Sequence, residues 1–362
     1  MLSIKIVSLP SIKQVTCLSL DHKAPQSELK KLAERTFAGS FSDLDRLLES
    51  FDNSEIKERN LCVPVEYFGK HSSFKQRNDE YVQLATELTS ESVSACLENC
   101  GIGKDEVTDF IFVSSTGLST PSIDALVVNK LKLNQNITRI PLWGLGCAGG
   151  VAGISLANKI ASANPEAKVI VAATELCSLT FIRNDNSKSN LIATGLFSDG
   201  IASALVCGDK AAEKINGSFD LRFVDSRSKL YYDSIDVMGW EIIEEGFKVV
   251  FSRDIPNIVS MKVKDDVLAF IASNNLSVSD ISNFIVHPGG VKVIDAYVKS
   301  LGIRNDQFKN TRTVLQNFGN MSSATVLYVL NEFSVNGFEK GMSLMASLGP
   351  GFTSEMLLLE SH

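Results

Sequence analysis

The stretch that most constrains this chain is "VAGISLANKIASA", residues 151–163, which follows the turn "GLGCAGG" at 144–150. Val151, Ala152, Ile154, Ala157, Ile160 and Ala161 are small or apolar, so a helix formed here keeps little of its surface for water. Such a helix is buried, and it holds the turn before it rigidly. The 362 residues are enough for about two domains, or for one large body with a well-buried core.

The turn itself has two readings. Its letters fit the dinucleotide fingerprint G-x-G-x-x-G between the strand-like "RIPLW" and the helix. That fingerprint needs an acid about 20 residues on for the ribose. The nearest strand-end acid, Glu175, lies 29 positions past Gly146, which is a loose fit. In the other reading Cys147 is a nucleophile on a tight strand-to-helix turn. Glycines permit the sharp backbone path, and a helix N-terminus favours a thiolate.

Helical and strand-like patterns alternate on both sides of this turn. Two amphipathic helices are expected between 25 and 52, a third over 80–100 and a fourth near 121–132. Strands are expected at "DFIFVSSTG" (109–117), "RIPLW", "KVIVAATEL" (168–176) and "IASALVCG" (201–208). Turn residues gather in "GDKAAEKINGS" at 208–218, which divides the chain into an N-terminal half, 1–210, and a C-terminal half, 218–362. The second half offers helices near 257–273, 290–301 and after Gly319, with strands at "NFIVHPG" and in the closing pair "GMSLMASLG" and "FTSEMLLLES". The alternation predicts an α/β protein whose sheet is largely parallel and covered on both faces.

Lys and Arg are scattered among a formal net charge of −7, which argues against nucleic acid as a partner. No apolar run approaches the roughly 20 residues of a membrane span, and a cytoplasmic protein is expected. Seven cysteines without a C-x-x-C pair, and four scattered histidines, give no support to a metal site.

Two further segments change the standing of Cys147. His287 ends the apolar run "FIVHPGG" and is followed by Pro288 and two glycines, so it projects from a strand end into a loop. Asn320 in "NFGNMSSA" precedes a helix, where an asparagine is ordinarily a cap.

With "SSTGLSTP", "WGLGCAGGVAG", "LFSDG", "GFKVVFSRDIP", "VHPGG", "GNMSSATV" and "SLGPGF" in this order along nearly the whole chain, the sequence resembles the type III polyketide synthases, the chalcone and stilbene synthase family, in its bacterial branch. The resemblance implies a thiolase fold, two similar α/β halves in a five-layered αβαβα core, in a homodimer. It implies Cys147, His287 and Asn320 as catalytic residues. Cys147 would take the acyl group of a coenzyme A thioester, and His287 would hold it as thiolate. His287 and Asn320 would stabilise the enolate formed as malonyl-CoA loses CO2.

No cofactor, metal, membrane insertion or acyl carrier protein is implied; acyl-CoA and malonyl-CoA are the partners. Phe197 takes the place of a gatekeeper, and Val249 that of a second one. Thr120, Cys177, Ser322, Leu348 and Gly349 fall at cavity-lining positions, and Trp240 fills part of the space. Lys57 and Arg59 fall where basic residues meet coenzyme A phosphates. The small pocket residues suggest an aliphatic starter and alkylpyrone or alkylresorcinol products. The alternative is a condensing enzyme like β-ketoacyl synthase III, fed by a carrier protein.

Overall fold

The computed structural model describes residues 9–70, 72–252 and 255–361. Arg253 and Asp254 of the "SRDIP" motif therefore lie outside the described residues. The main sheet has nine strands: β1 Ser11–Cys17, β2 Asp109–Val113, β3 Thr138–Leu142, β4 Lys168–Leu176, β5 Asp199–Cys207, β6 Leu221–Leu230, β7 Ile281–Val286, β8 Gly341–Gly349 and β9 Thr353–Ser361. Their order is β7-β8-β9-β6-β1-β5-β4-β2-β3. Among the described residues, the strand pairs Ser11↔Arg222 and Ile12↔Leu221 tie the five strands of the first half to the four of the second.

Period-two alternation sorts the strands into layers. Ile111, Val113, Val169 and Val171 face a central core that also holds Ile285, Met345 and Leu357 from the other half. The helices Gly149–Ala163 and Thr325–Asn336 occupy that core. Their neighbours Phe110, Phe112, Ile170 and Ala172 face outward, against the helix Phe74–Cys100. In the second half Phe284, Val286, Leu344 and Leu358 likewise face an outer layer containing Lys264–Ser273 and Val291–Leu301. Helices, sheet, helices, sheet, helices make five layers. The buried helix behind Cys147 lies in the middle one, as its composition requires.

Local signals fix the ends of these elements. Ser73 accepts from Gln76 N while Gln76 Oε1 accepts from Ser73 N, a capping box at the start of Phe74–Cys100. Gly101, at φ 64°, ends that helix in the left-handed conformation.

The sheet is not largely parallel. Three neighbouring pairs are parallel, β2 with β3, β2 with β4, and β7 with β8. The other five are antiparallel. Alternation in sequence does not guarantee a crossover: the helix Lys188–Leu196 lies between β4 and β5, yet these strands pair antiparallel. The hairpin of Met238–Ile243 and Gly246–Phe251, together with β1 and β6, went unseen in the sequence. Lys13, Gln14 and Thr16 interrupt the apolar run in β1, and much of β6 is exposed.

Candidate active site

The chain leaves β3 through Gly144, at φ 87°, and Gly146, at φ 46°. Cys147 then sits in the single 3-10 turn Gly146–Ala148 ahead of the central helix. A side chain at Gly146 would be strained by its φ and would meet Pro350 at 2.6 Å. At Gly150 a Cβ would lie 2.3 Å from the Ser323 carbonyl oxygen. That glycine lets the two central helices cross at their N-termini. The crossing brings the Cys147 turn against a second 3-10 turn, Ser322–Ala324, which heads Thr325–Asn336.

Asn320 reaches the cysteine from this second turn, with the Cys147 thiol directed at Asn320 Oδ1, 3.9 Å away. The same Oδ1 accepts from Ser322 N at 2.9 Å, so Asn320 caps its own turn as well. Its backbone is locked on both sides, with N donating to Leu196 O and O accepting from Ser198 N. The side-chain amide nitrogen has no protein partner among the described residues.

His287 follows β7 directly, and its N–H donates to Ala346 O of β8 at 2.9 Å. The residue is 4% exposed, and neither ring nitrogen has a partner among the described residues. Burial pushes its imidazole down to about 3, and burial pushes the Cys147 thiol up to about 12 against hydrogen bonds from Ser322 and Asn320 that lower it. Each group alone is neutral at pH 7, with His287 buried and Cys147 half-buried. The two groups line one pocket, but among the described residues the thiol is directed at Asn320 and no hydrogen bond joins it to His287.

Beneath the site lies Glu175, fully buried at the end of β4. It is no ribose ligand. Its carboxylate accepts from Ser115 N, from Thr116 Oγ1 and from Ser323 Oγ, while Ser115 Oγ accepts from Gly146 N. Glu175 thus braces both turns from below. Burial raises its carboxyl above the usual range, against these same hydrogen bonds.

Two pockets adjoin. Cys147, His287, Asn320 and Leu348 line one small pocket, with Met238, Phe251 and Tyr297. Phe197, Cys177, Val249 and Trp240 line a second, somewhat larger one, with Arg59. Phe197 stands between them, its ring edge-on to Phe251 at 6.4 Å and tilted to Trp240 at 6.5 Å. Sequence reasoning missed Phe251. Its signal was the alternation in "GFKVVF", which puts Phe247, Val249 and Phe251 on one face of the hairpin strand. Ser322 is buried against Cys147 at φ 49°, and Gly349 packs on the nucleophile turn, where a Cβ would meet Leu145 O at 2.4 Å.

Two expectations are corrected. Thr120 is exposed and lines neither pocket, because the turn after β2 carries it out to the surface. Arg59 is 2% exposed and donates to Phe197 O, so it cannot meet a phosphate in solvent; Lys57, two residues earlier on the strand's approach, is exposed.

Residues 52–210 match the family described as chalcone and stilbene synthases, N-terminal domain, and residues 224–362 its C-terminal domain. The chain is 45% identical over 341 residues to the "Putative chalcone synthase" of Bacillus subtilis (strain 168), covering 92% of this chain and 93% of that protein. It is 30% identical over 340 residues to the 1,3,6,8-tetrahydroxynaphthalene synthase of Streptomyces peucetius subsp. caesius, covering 93% and 89%. The crystal structure of 1,3,6,8-tetrahydroxynaphthalene synthase from Streptomyces coelicolor A3(2), a bacterial type III polyketide synthase, superimposes with a TM-score of 0.91 at 27% identity, over 97% of this chain and 99% of that one. Helical layers, nucleophile turn and sequence therefore agree: the chain belongs to the chalcone and stilbene synthase family and is a type III polyketide synthase of the thiolase fold, an acyltransferase that makes carbon-carbon bonds.

Proposed function

We propose that this synthase loads an acyl-CoA starter on Cys147 and extends it with malonyl-CoA, without an acyl carrier protein. The observation that carries the reading is the convergence of Cys147, His287 and Asn320 in one small pocket, with Phe197 packed between Phe251 of that pocket and Trp240 of a second one. His287 accepts the thiol proton as the thiolate attacks the starter thioester, and coenzyme A leaves. Malonyl-CoA then binds with its thioester carbonyl toward His287 and the free amide nitrogen of Asn320. Both donors stabilise the enolate that remains when CO2 departs. The carbanion attacks the Cys147 thioester, so decarboxylation supplies the nucleophile and no separate carboxylate base is needed.

Exposed Lys57 is the candidate for a coenzyme A phosphate. Leu118 and Trp143 are exposed, and Trp143 Nε1 donates to Gly117 O beside Leu118; these apolar side chains support a homodimer that covers this face. No helix among the described residues is long and apolar enough to cross a membrane, and the proposed setting is the cytoplasm.

The larger pocket, lined by Leu29, Leu32, Phe68 and Phe181, suits an aliphatic starter and alkylpyrone or alkylresorcinol products. Each buried methylene is worth about 0.8 kcal/mol, so starter KM falls steadily from hexanoyl-CoA to dodecanoyl-CoA. Cys177→Phe cuts that trend off at shorter chains. Mass spectrometry of products from malonyl-CoA and a panel of starters is the test: a flat profile, or use of malonyl-CoA alone, refutes the aliphatic assignment.

A further inference from the structure

The larger pocket holds one buried cation that the mechanism above does not use. Arg59 is 2% exposed, and Nη1 donates to Phe197 O at 2.7 Å, so the guanidinium stands at the Phe197 doorway. Its Nε and Nη2 are buried and have no partner among the described residues. The nearby carboxylate, Asp199, is occupied elsewhere, accepting from Cys62 N, Ser178 N and Ser178 Oγ.

The other polar side chains of this wall are also committed. Thr180 Oγ1 donates to Cys177 O, Thr194 Oγ1 to Asn190 O, and Asn190 Nδ2 to Ile182 O and Asp185 O. Arg59 is thus left with donors in an otherwise apolar pocket. An unsatisfied buried guanidinium is costly, and a ligand oxygen that only accepts would relieve the cost.

We propose that Arg59 is a substrate-binding residue for the growing chain, donating to a β-keto oxygen, as ketone or enolate, that has passed Phe197. This rests on the synthase reading above. A plain alkyl starter carries no such oxygen; each condensation adds one. The alkyl end then lies against Leu29, Leu32 and Phe68, while the first carbonyls past the doorway meet the guanidinium. Burial pushes Arg59 down to about 9, so it keeps its proton at pH 7.

The test compares two thioesters of equal carbon count, 3,5-dioxohexanoyl- and hexanoyl-N-acetylcysteamine, as substrates for extension with malonyl-CoA. Wild type should favour the dioxo substrate in kcat/KM by at least tenfold, and Arg59→Gln should reduce that ratio by tenfold or more. Arg59→Lys should recover part of it. A purely structural role would lower both substrates together and leave the ratio unmoved, which overturns the proposal. So does a wild-type ratio near one, a result that needs no variant to fold. A third substrate, the succinyl thioester, separates a carboxylate from a ketone: if Arg59→Gln selectively loses succinyl, the β-keto assignment is wrong. If wild type loads none of these on Cys147 by intact mass, it is the synthase reading itself that fails.

Discussion

Two turns face each other at the centre of the molecule, Gly146–Ala148 ahead of one buried helix and Ser322–Ala324 ahead of the other. The first turn presents a thiol. The second presents an amide that spends its oxygen on its own Ser322 N–H and whose nitrogen has no protein partner among the described residues. The strand ends beside them differ in the same sense. After β2, the Ser115 amide and the Thr116 hydroxyl are satisfied by Glu175; after β7, both ring nitrogens of His287 are without a partner among the described residues. One half is wired for rigidity around the thiol of Cys147. The other leaves polar groups open, and an acceptor placed there would make hydrogen bonds without displacing a protein partner.

The contrast breaks most completely at the thiol. Cys147→Ala should make no polyketide, and starter mass should appear in wild type on the peptide containing Cys147. Labelling of Cys177 or Cys62 instead, with the alanine variant still active, would overturn the assignment.

Next comes the crossing that brings the turns together. Gly150→Val puts side-chain carbon within 2.3 Å of Ser323 O, where backbone on both sides is buried and cannot yield. Overpacking of this kind costs about 3 kcal/mol or more, visible as a lower denaturant midpoint. An unchanged midpoint would mean that the helices can separate.

The open half is probed by Asn320→Ala. Decarboxylation of malonyl-CoA should slow by about 2 to 4 kcal/mol of barrier, while starter still loads on Cys147. Were the residue a cap only, stability would fall by about 1 kcal/mol with decarboxylation intact.

The smallest effect is on pH dependence. The folded imidazole of His287 binds its proton near 3, and the unfolded one near 6.5. The unfolded chain therefore holds more protons in that window, and stability drops as pH falls from about 6.5 toward 3. Between pH 6.5 and 4.5, His287→Gln should lose about 2 kcal/mol less than wild type in urea titrations. Equal losses would place a charged imidazole, or a partner for it, in the native site.

How much of this could be read from the chain follows from the range over which each signal acts. The helix behind Cys147, the strand end carrying His287 and the turn carrying Asn320 are local matters: small residues, glycines and period-two runs state which face of an element is apolar and where the element stops. Their joint presence in family order pointed to the chemistry. Local pattern does not say which other element a face will meet. Arg59 looked like one basic residue of a solvated turn, and only the packing of its strand against Phe197, Asp199 and Gly319 takes its guanidinium out of water. Thr120 looked like pocket lining, and the path of the loop after β2 leaves it exposed. Phe251 and the hairpin that carries it became part of the site only when that hairpin folded over Phe197. Strand direction was equally out of reach, because a helix between two strands fixes the length of a connection and not the side from which the chain returns.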